Sequence, residues 1–152
     1  HSNEAILERQ ADKFSSNLLL PNYIVYPYLN KFKTLNFDTI RKTAKSFRTS
    51  IPATAISLVE RGSWPAVLVC NGQSGRKWFT RNTKIPNHFF PKDELHYESS
   101  AMDVLYGKEH DQTSPRKIGA DKWFNCREAY NKNIYEQSIQ TMDKDVLSLL
   151  IF

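Results

Sequence analysis

Glu8 and Asp12 are the side chains whose type and spacing first suggest chemistry. On a helix, residues four apart share one flank, and like charges placed there repel by roughly 0.2–0.5 kcal/mol. A bound cation is one way to offset that repulsion. Catalytic zinc takes three protein ligands and keeps a fourth position for water. In a common arrangement, two ligands come from a His-Glu-x-x-His helix and a carboxylate comes from a later helix. The Glu of the first motif is then the general base on the zinc-bound water. An acid one turn beyond the carboxylate ligand orients a ligating His through its other ring nitrogen. Glu8 and Asp12 match that later helix in chemistry and spacing, although a Glu-x-x-x-Asp pair also suits a solvated helix face. No His-Glu-x-x-His occurs in the 152 residues, and His1, His88, His96 and His110 show no i, i+4 pairing.

Arg41, Lys42, Lys45 and Arg48 form a second candidate group. They fall on a predicted helix that is followed by a short turn, Arg48-Thr49-Ser50, and another helix, the outline of a helix-turn-helix unit. In such units the second helix reads base edges with Arg, Lys, Asn or Gln. Here its outward positions are expected to be Thr54, Ser57, Glu60 and Arg61, a poor set for base reading. The four basic residues suit backbone contact without sequence preference. A third group is aromatic: Trp78, Phe79, Trp123, Phe124 and Tyr97 are candidates to line a ligand pocket, or to be core. Cys70 and Cys126 form no CxxC and are expected to be free thiols of a cytosolic protein.

The elements that must position these residues divide into two kinds. Residues 4–20 read as a helix whose Leu7, Ala11, Phe14 and Leu18 form one buried stripe. Pro21 ends it, and residues 23–32 form a shorter helical segment with a break near Pro27. Phe37, Ile40, Ala44 and Phe47 mark an amphipathic helix capped by Asn36. Pro52 opens the next helix, and Gly62 closes it. After Gly62 the pattern changes. Residues 66–70 and 77–80 read as a β-hairpin around the turn 71–75. Residues 85–98 are irregular, 99–106 a short helix and 107–117 an exposed polar loop. Strands are expected at 120–126, 133–141 and 145–152. The expected class is α+β: N-terminal helices in a region 1–62, then a small, mainly antiparallel β subdomain over 63–152.

Bulk properties narrow the setting. A chain of this length, 40% hydrophobic and 24% charged, can bury one ordinary core or two small ones, and no apolar run approaches the ~20 residues of a membrane helix. The net charge of +5 is spread over scattered Lys and Arg with no run of five or more, so it tolerates an acidic partner without demanding one. No signal peptide is visible. The chain begins without Met, so a fragment is expected, and His1 is native or a remnant of cloning.

The residues around the acidic pair carry a resemblance. The run Glu8-x-x-Ala11-Asp12-x-Phe14-Ser15-x-x-Leu18-Leu19-Leu20-Pro21 resembles the ImmA/IrrE family of zinc metallopeptidases, whose pattern is close to E-x-x-A-[ND]-x-F-A-x-x-L-L-M-P. Trp64-Pro65-Ala66-Val67-Leu68-Val69 is similar to the family segment after its helix-turn-helix. So is Gly75-Arg76-Lys77-Trp78-Phe79 with Pro86 following, and the Glu136-Gln137-Ser138 and Val146-Leu147-Ser148-Leu149-Leu150 segments are similar to its C-terminal strands. The resemblance implies Glu8 as the third zinc ligand, Asp12 as the acid that orients a ligating His, and Ala11 and Phe14 as packing against the metal-bearing helix. It implies a cytoplasmic metalloendopeptidase that cleaves a regulatory protein, often a helix-turn-helix repressor, in phage, mobile-element and stress-response control of transcription. The zinc helix of the family lies upstream of the matching Glu, so the expectation is a C-terminal portion with zinc unbound and no peptidase activity of its own. The alternative expectations are a non-enzymatic DNA- or protein-binding regulator and a ligand-sensing module.

Overall fold

A computed structural model describes residues 20–107 and 111–152. The predicted first helix, with Glu8 and Asp12, lies outside the described residues. Helix α1 spans Asn22–Leu29, with Pro21 at its N-cap. Pro27 sits inside it without the expected break. It falls in the last turn, so the one bond it removes would have gone to the carbonyl of Tyr23, an exposed residue. Helix α2 spans Phe37–Phe47. Asn36 and Thr39 close a reciprocal box at its start: the Asn36 side chain accepts from Thr39 N at 2.9 Å, and Thr39 Oγ1 accepts from Asn36 N at 3.1 Å. Arg48 ends α2 in the left-handed region at φ 53°. Helix α3 spans Ile51–Arg61, with Ser50 as its cap and Pro52 in its first turn. Gly62 closes it, as expected. A Cβ there would meet the Trp64 ring at 2.4 Å and the Leu58 carbonyl at 2.5 Å, so the tryptophan can fold over the helix end only above a glycine.

The sheet has the order β2-β1-β5-β4-β3, antiparallel throughout, with β1 Ala66–Gly72, β2 Gly75–Arg81, β3 Arg116–Gly119, β4 Asn133–Gln140 and β5 Val146–Ile151. The protein is therefore α+β. Val67, Leu68, Val69 and Cys70 pair with Leu150, Leu149, Ser148 and Leu147. Both strands are central and covered on two faces, which is why their sequences are continuously apolar rather than alternating.

Helices α1–α3 cover one face. Ala66, Leu68, Cys70, Trp78, Leu147 and Leu149 point into that layer and share a single core with Leu20, Phe37, Ile40, Ile56 and Leu58. On the other face, Val67, Val69, Ile134, Val146 and Leu150 pack against a short helix α4, Ser100–Leu105, and the aromatic residues Phe89, Trp123 and Phe124. The change of composition near residue 62 is thus a change of element type; the helices share a core with one face of the sheet, and the other face builds a second core.

Two expectations for the second half need correction. Residues 120–126 form no strand. Ala120–Lys122 is a single 3-10 turn, and Trp123 N and Phe124 N both bond back to Ala120 O, at 3.0 and 2.9 Å. Ala120, Trp123 and Phe124 are buried at spacings of three and four, a helical rather than an alternating rhythm. The third strand instead lies earlier, at Arg116–Gly119, overlapping the end of the stretch expected to be a loop. Arg116 and Lys117 pair with Glu136 and Tyr135, and Gln112 bridges Ile139. β3 was hidden by its polar residues. As an edge strand it buries only Ile118.

Candidate functional site

The helix-turn-helix outline is real in connectivity, since α2 and α3 are joined by the turn at Thr49, but α3 is not a reading helix. Residues 53–59 are all buried, and Thr54 and Ser57, two of the expected outward positions, are almost wholly enclosed. The Thr54 hydroxyl donates to Ser50 O at 2.7 Å and lies 2.6 Å from the Thr49 hydroxyl. Glu60 accepts from the Thr80 hydroxyl at 2.5 Å. Arg61 donates to Leu20 O and to Asn22 Oδ1, the latter at 3.1 Å. Burial lowers the Arg61 guanidinium from its ordinary value, against the pull of Tyr26 and Glu60. A helix held this way cannot enter a groove.

The basic group of α2 does reach solvent, with Arg41, Lys42, Lys45 and Arg48 all exposed. Arg41 is tied down: its Nε donates to Gln112 Oε1 at 2.8 Å, and Gln112 donates in turn to Asp38 at 3.3 Å. Among the described residues, no hydrogen bond or ion pair engages the side chains of Lys42, Lys45 or Arg48.

The aromatic set does not line a common pocket. Trp78 belongs to the core under the helices, whereas Phe79, Trp123 and Phe124 belong to the opposite face. Tyr97 is 77% exposed and stacks on His96 with ring centroids 4.4 Å apart. Trp123 is a structural donor. Its Nε1 bonds Glu136 Oε2 at 2.8 Å.

Glu136 is the most engaged polar group in the described chain, and sequence reading assigned it no role of its own. Its side chain is fully buried. Besides Trp123, it accepts from Ser99 Oγ at 2.9 Å, Ser100 N at 2.8 Å and Arg116 Nε at 2.9 Å. Gln137, next along β4, points to the other face. It accepts from Phe37 N at 2.8 Å and donates to Thr113 O at 2.9 Å, so a strand residue caps the first amide of α2. Ser138 then meets the Ser148 hydroxyl at 2.9 Å. Three consecutive polar residues on a buried strand each hold a different neighbour. With all four lone-pair directions of its carboxylate used, Glu136 is a fixed anchor rather than a reactive acid.

Among the described residues, metal-ligating side chains converge at one place. His88, Cys126 and Glu128 each offer one ligand atom, and those atoms lie within 4.8 Å of one another. His88 Nε2 and Glu128 Oε2 are 3.6 Å apart. Cys126 and Glu128 are close enough in sequence to be noticed together. His88 lies far upstream, and only the tertiary fold brings it in. Glu8, the zinc ligand expected from the resemblance, and Asp12, the acid expected to orient a ligating His, fall outside the described residues. Elsewhere, the Asp121 carboxylate raises the Lys122 ammonium from its ordinary value through a hydrogen bond.

Among the described residues no helix is long and apolar enough to cross a membrane. No protein-family model matches the chain, and no curated protein matches it.

Proposed function

We propose that the chain is the C-terminal portion of an ImmA/IrrE-like zinc metallopeptidase, acting in the cytoplasm on a regulatory protein such as a helix-turn-helix repressor. The observation that carries this reading is the placement of the resembling segments. Trp64 to Val69 leads into β1, Gly75 to Phe79 opens β2, Glu136 to Ser138 lies in β4 and Val146 to Leu150 in β5. These are four adjacent strands, β2-β1-β5-β4. Leu20, at the end of the resembling run that carries Glu8, is fully buried in the core beneath the same sheet. Segments scattered along the sequence thus form one contiguous body.

The donors of this chain do not make a catalytic zinc site of the expected kind. The resemblance assigns it one carboxylate ligand, Glu8, and the sequence has no His-Glu-x-x-His. The role proposed for this portion is therefore to contribute that ligand and a surface for the substrate. The test is to extend the protein upstream of His1. A His-Glu-x-x-His within about one helix and loop is expected there. In that longer protein, Glu8→Gln is expected to abolish cleavage and the zinc equivalent that cleavage needs, while the circular dichroism spectrum is unchanged. An upstream sequence without the motif, or zinc-dependent proteolysis by the 152-residue chain alone, would overturn the reading. The exposed cations Lys42, Lys45 and Arg48 support the second reading, a non-enzymatic regulator that touches nucleic-acid backbone.

A further inference from the structure

We propose that His88, Cys126 and Glu128 form a zinc-binding site of this chain, with a donor set that does not include Glu8. The donor set is an imidazole, a thiol and a carboxylate. Zinc accepts all three, whereas calcium and magnesium take oxygen and have little use for sulfur. With thiolate and carboxylate charged and the imidazole neutral, the three ligands carry two negative charges, which a divalent ion cancels.

The distances agree. Zinc–ligand bonds of about 2.0–2.3 Å in a tetrahedron place donor atoms roughly 3.3–3.8 Å apart. His88 Nε2 and Glu128 Oε2 are 3.6 Å apart, and the widest pair in the trio is within 4.8 Å. Closing that last gap takes a shift of about an ångström, within the reach of side-chain rotation. His88 and Glu128 are exposed and Cys126 is half-buried, so an ion has an entry path and keeps a coordination position open to solvent.

The scaffold is what separates this trio from a chance meeting of surface side chains. Residues 88–92 and 123–128 are joined by backbone: Pro91 bridges Phe124, and Lys92 N donates to Trp123 O at 2.8 Å. Phe89, next to His88, packs edge-on against Phe124 and Phe152 at 5.5 and 5.1 Å between centroids. Ala129, fully buried, pins the 3-10 turn Arg127–Asn131 that carries Glu128, and its amide bonds Cys126 O at 3.2 Å. Both halves of the site are therefore fixed to one aromatic cluster before any ion arrives, which limits the ordering cost of binding. The ion would clamp the loop after β2 to the turn before β4.

The test uses the whole chain, stripped with a chelator and titrated with zinc in competition with a chromogenic chelator, then with cobalt in its place. One equivalent is expected, and the cobalt form is expected to show thiolate-to-metal charge-transfer absorption in the near ultraviolet. Cys126→Ser is expected to abolish that absorption, and His88→Ala and Glu128→Gln to weaken zinc by at least about tenfold. The double variant Glu8→Gln with Asp12→Asn is expected to bind as the parent does, so the fate of the proposed peptidase reading does not enter. Zinc is also expected to protect Cys126 from alkylation in the parent and not in His88→Ala, a readout that survives if a variant folds less well. No charge-transfer band, or zinc affinity and alkylation rates that ignore Cys126→Ser and His88→Ala, would overturn the site and leave only a solvated histidine–glutamate pair.

Discussion

Glu136 shows how a single side chain can organise a fold without taking part in chemistry. It is a fully buried carboxylate whose four donors come from α4 and its cap, the turn at Trp123 and the edge strand β3. Such a charge is tolerable only because it is both paired and saturated. Glu136→Gln preserves the shape but turns an amide NH2 toward groups that are themselves donors. A loss of about 3 kcal/mol is expected, in line with breaking a buried pair, measured as a lower urea midpoint at unchanged m. A loss under about 1 kcal/mol would show that the network rearranges around the amide. None of this was legible residue by residue. A Glu in a strand of mixed polarity reads as solvent-facing, and its partners come from distant segments that only the fold assembles. The His88, Cys126 and Glu128 trio was missed for the same reason, as its first member lies in an irregular loop.

At the scale of elements, the sequence was clearest where local physics decides. The Asn36 cap, the Phe37, Ile40 and Ala44 stripe, the Pro52 start of α3 and the Gly62 stop all appear where the pattern predicts. It failed once where tertiary context decides and once where a local rhythm was misread. β3 is polar because it is an edge, and Ala120–Lys122 is a turn because its apolar spacing is helical. The turn between α2 and α3 carries a local conflict. Arg48 adopts φ 53°, a region that costs a non-glycine residue roughly 1–2 kcal/mol. Arg48→Gly is expected to raise stability by roughly 0.5–1 kcal/mol after the extra unfolded-state freedom of glycine is counted, read from thermal and urea melts. A drop in stability would mean that the Arg48 side chain makes a contact worth more than the strain.

The same pair of helices limits nucleic-acid binding. With α3 buried, α2 is the one of these two helices free to touch a duplex, through Lys42, Lys45 and Arg48. Any retention of DNA in a shift assay is expected to be indifferent to sequence, to weaken steeply with salt and to vanish in Lys42→Glu with Lys45→Glu. Sequence-selective binding would contradict the burial of α3.

For the whole molecule, two cores built on opposite faces of one sheet predict one cooperative unit. Trp78 lies under the helices and Trp123 under the opposite layer, so fluorescence samples both faces, while far-ultraviolet circular dichroism follows the helices and the sheet. The two urea transitions are expected to coincide. A fragment of residues 63–152 is expected to remain unfolded, because Leu68, Trp78, Leu147 and Leu149 would lose their cover. Separate transitions would show that the helical and β regions fold independently. The broad α+β class followed from the change of pattern at residue 62, but the joining of the two regions did not, since periodicity says which face is apolar and not what covers it.

The strand order has a consequence for how the chain is made. β5 stands in the middle of the sheet, between β1 and β4, yet it follows the other four strands in sequence. On the ribosome the β1–β2 hairpin emerges first, and its apolar inner edge must wait for a partner that lies more than seventy residues further on. At about 5–20 residues per second that wait lasts several seconds. Throughout it the nascent chain displays an unpaired, strongly apolar strand, the kind of edge that captures other chains. Expression is therefore expected to depend on chaperone supply and translation speed more than the finished fold would suggest.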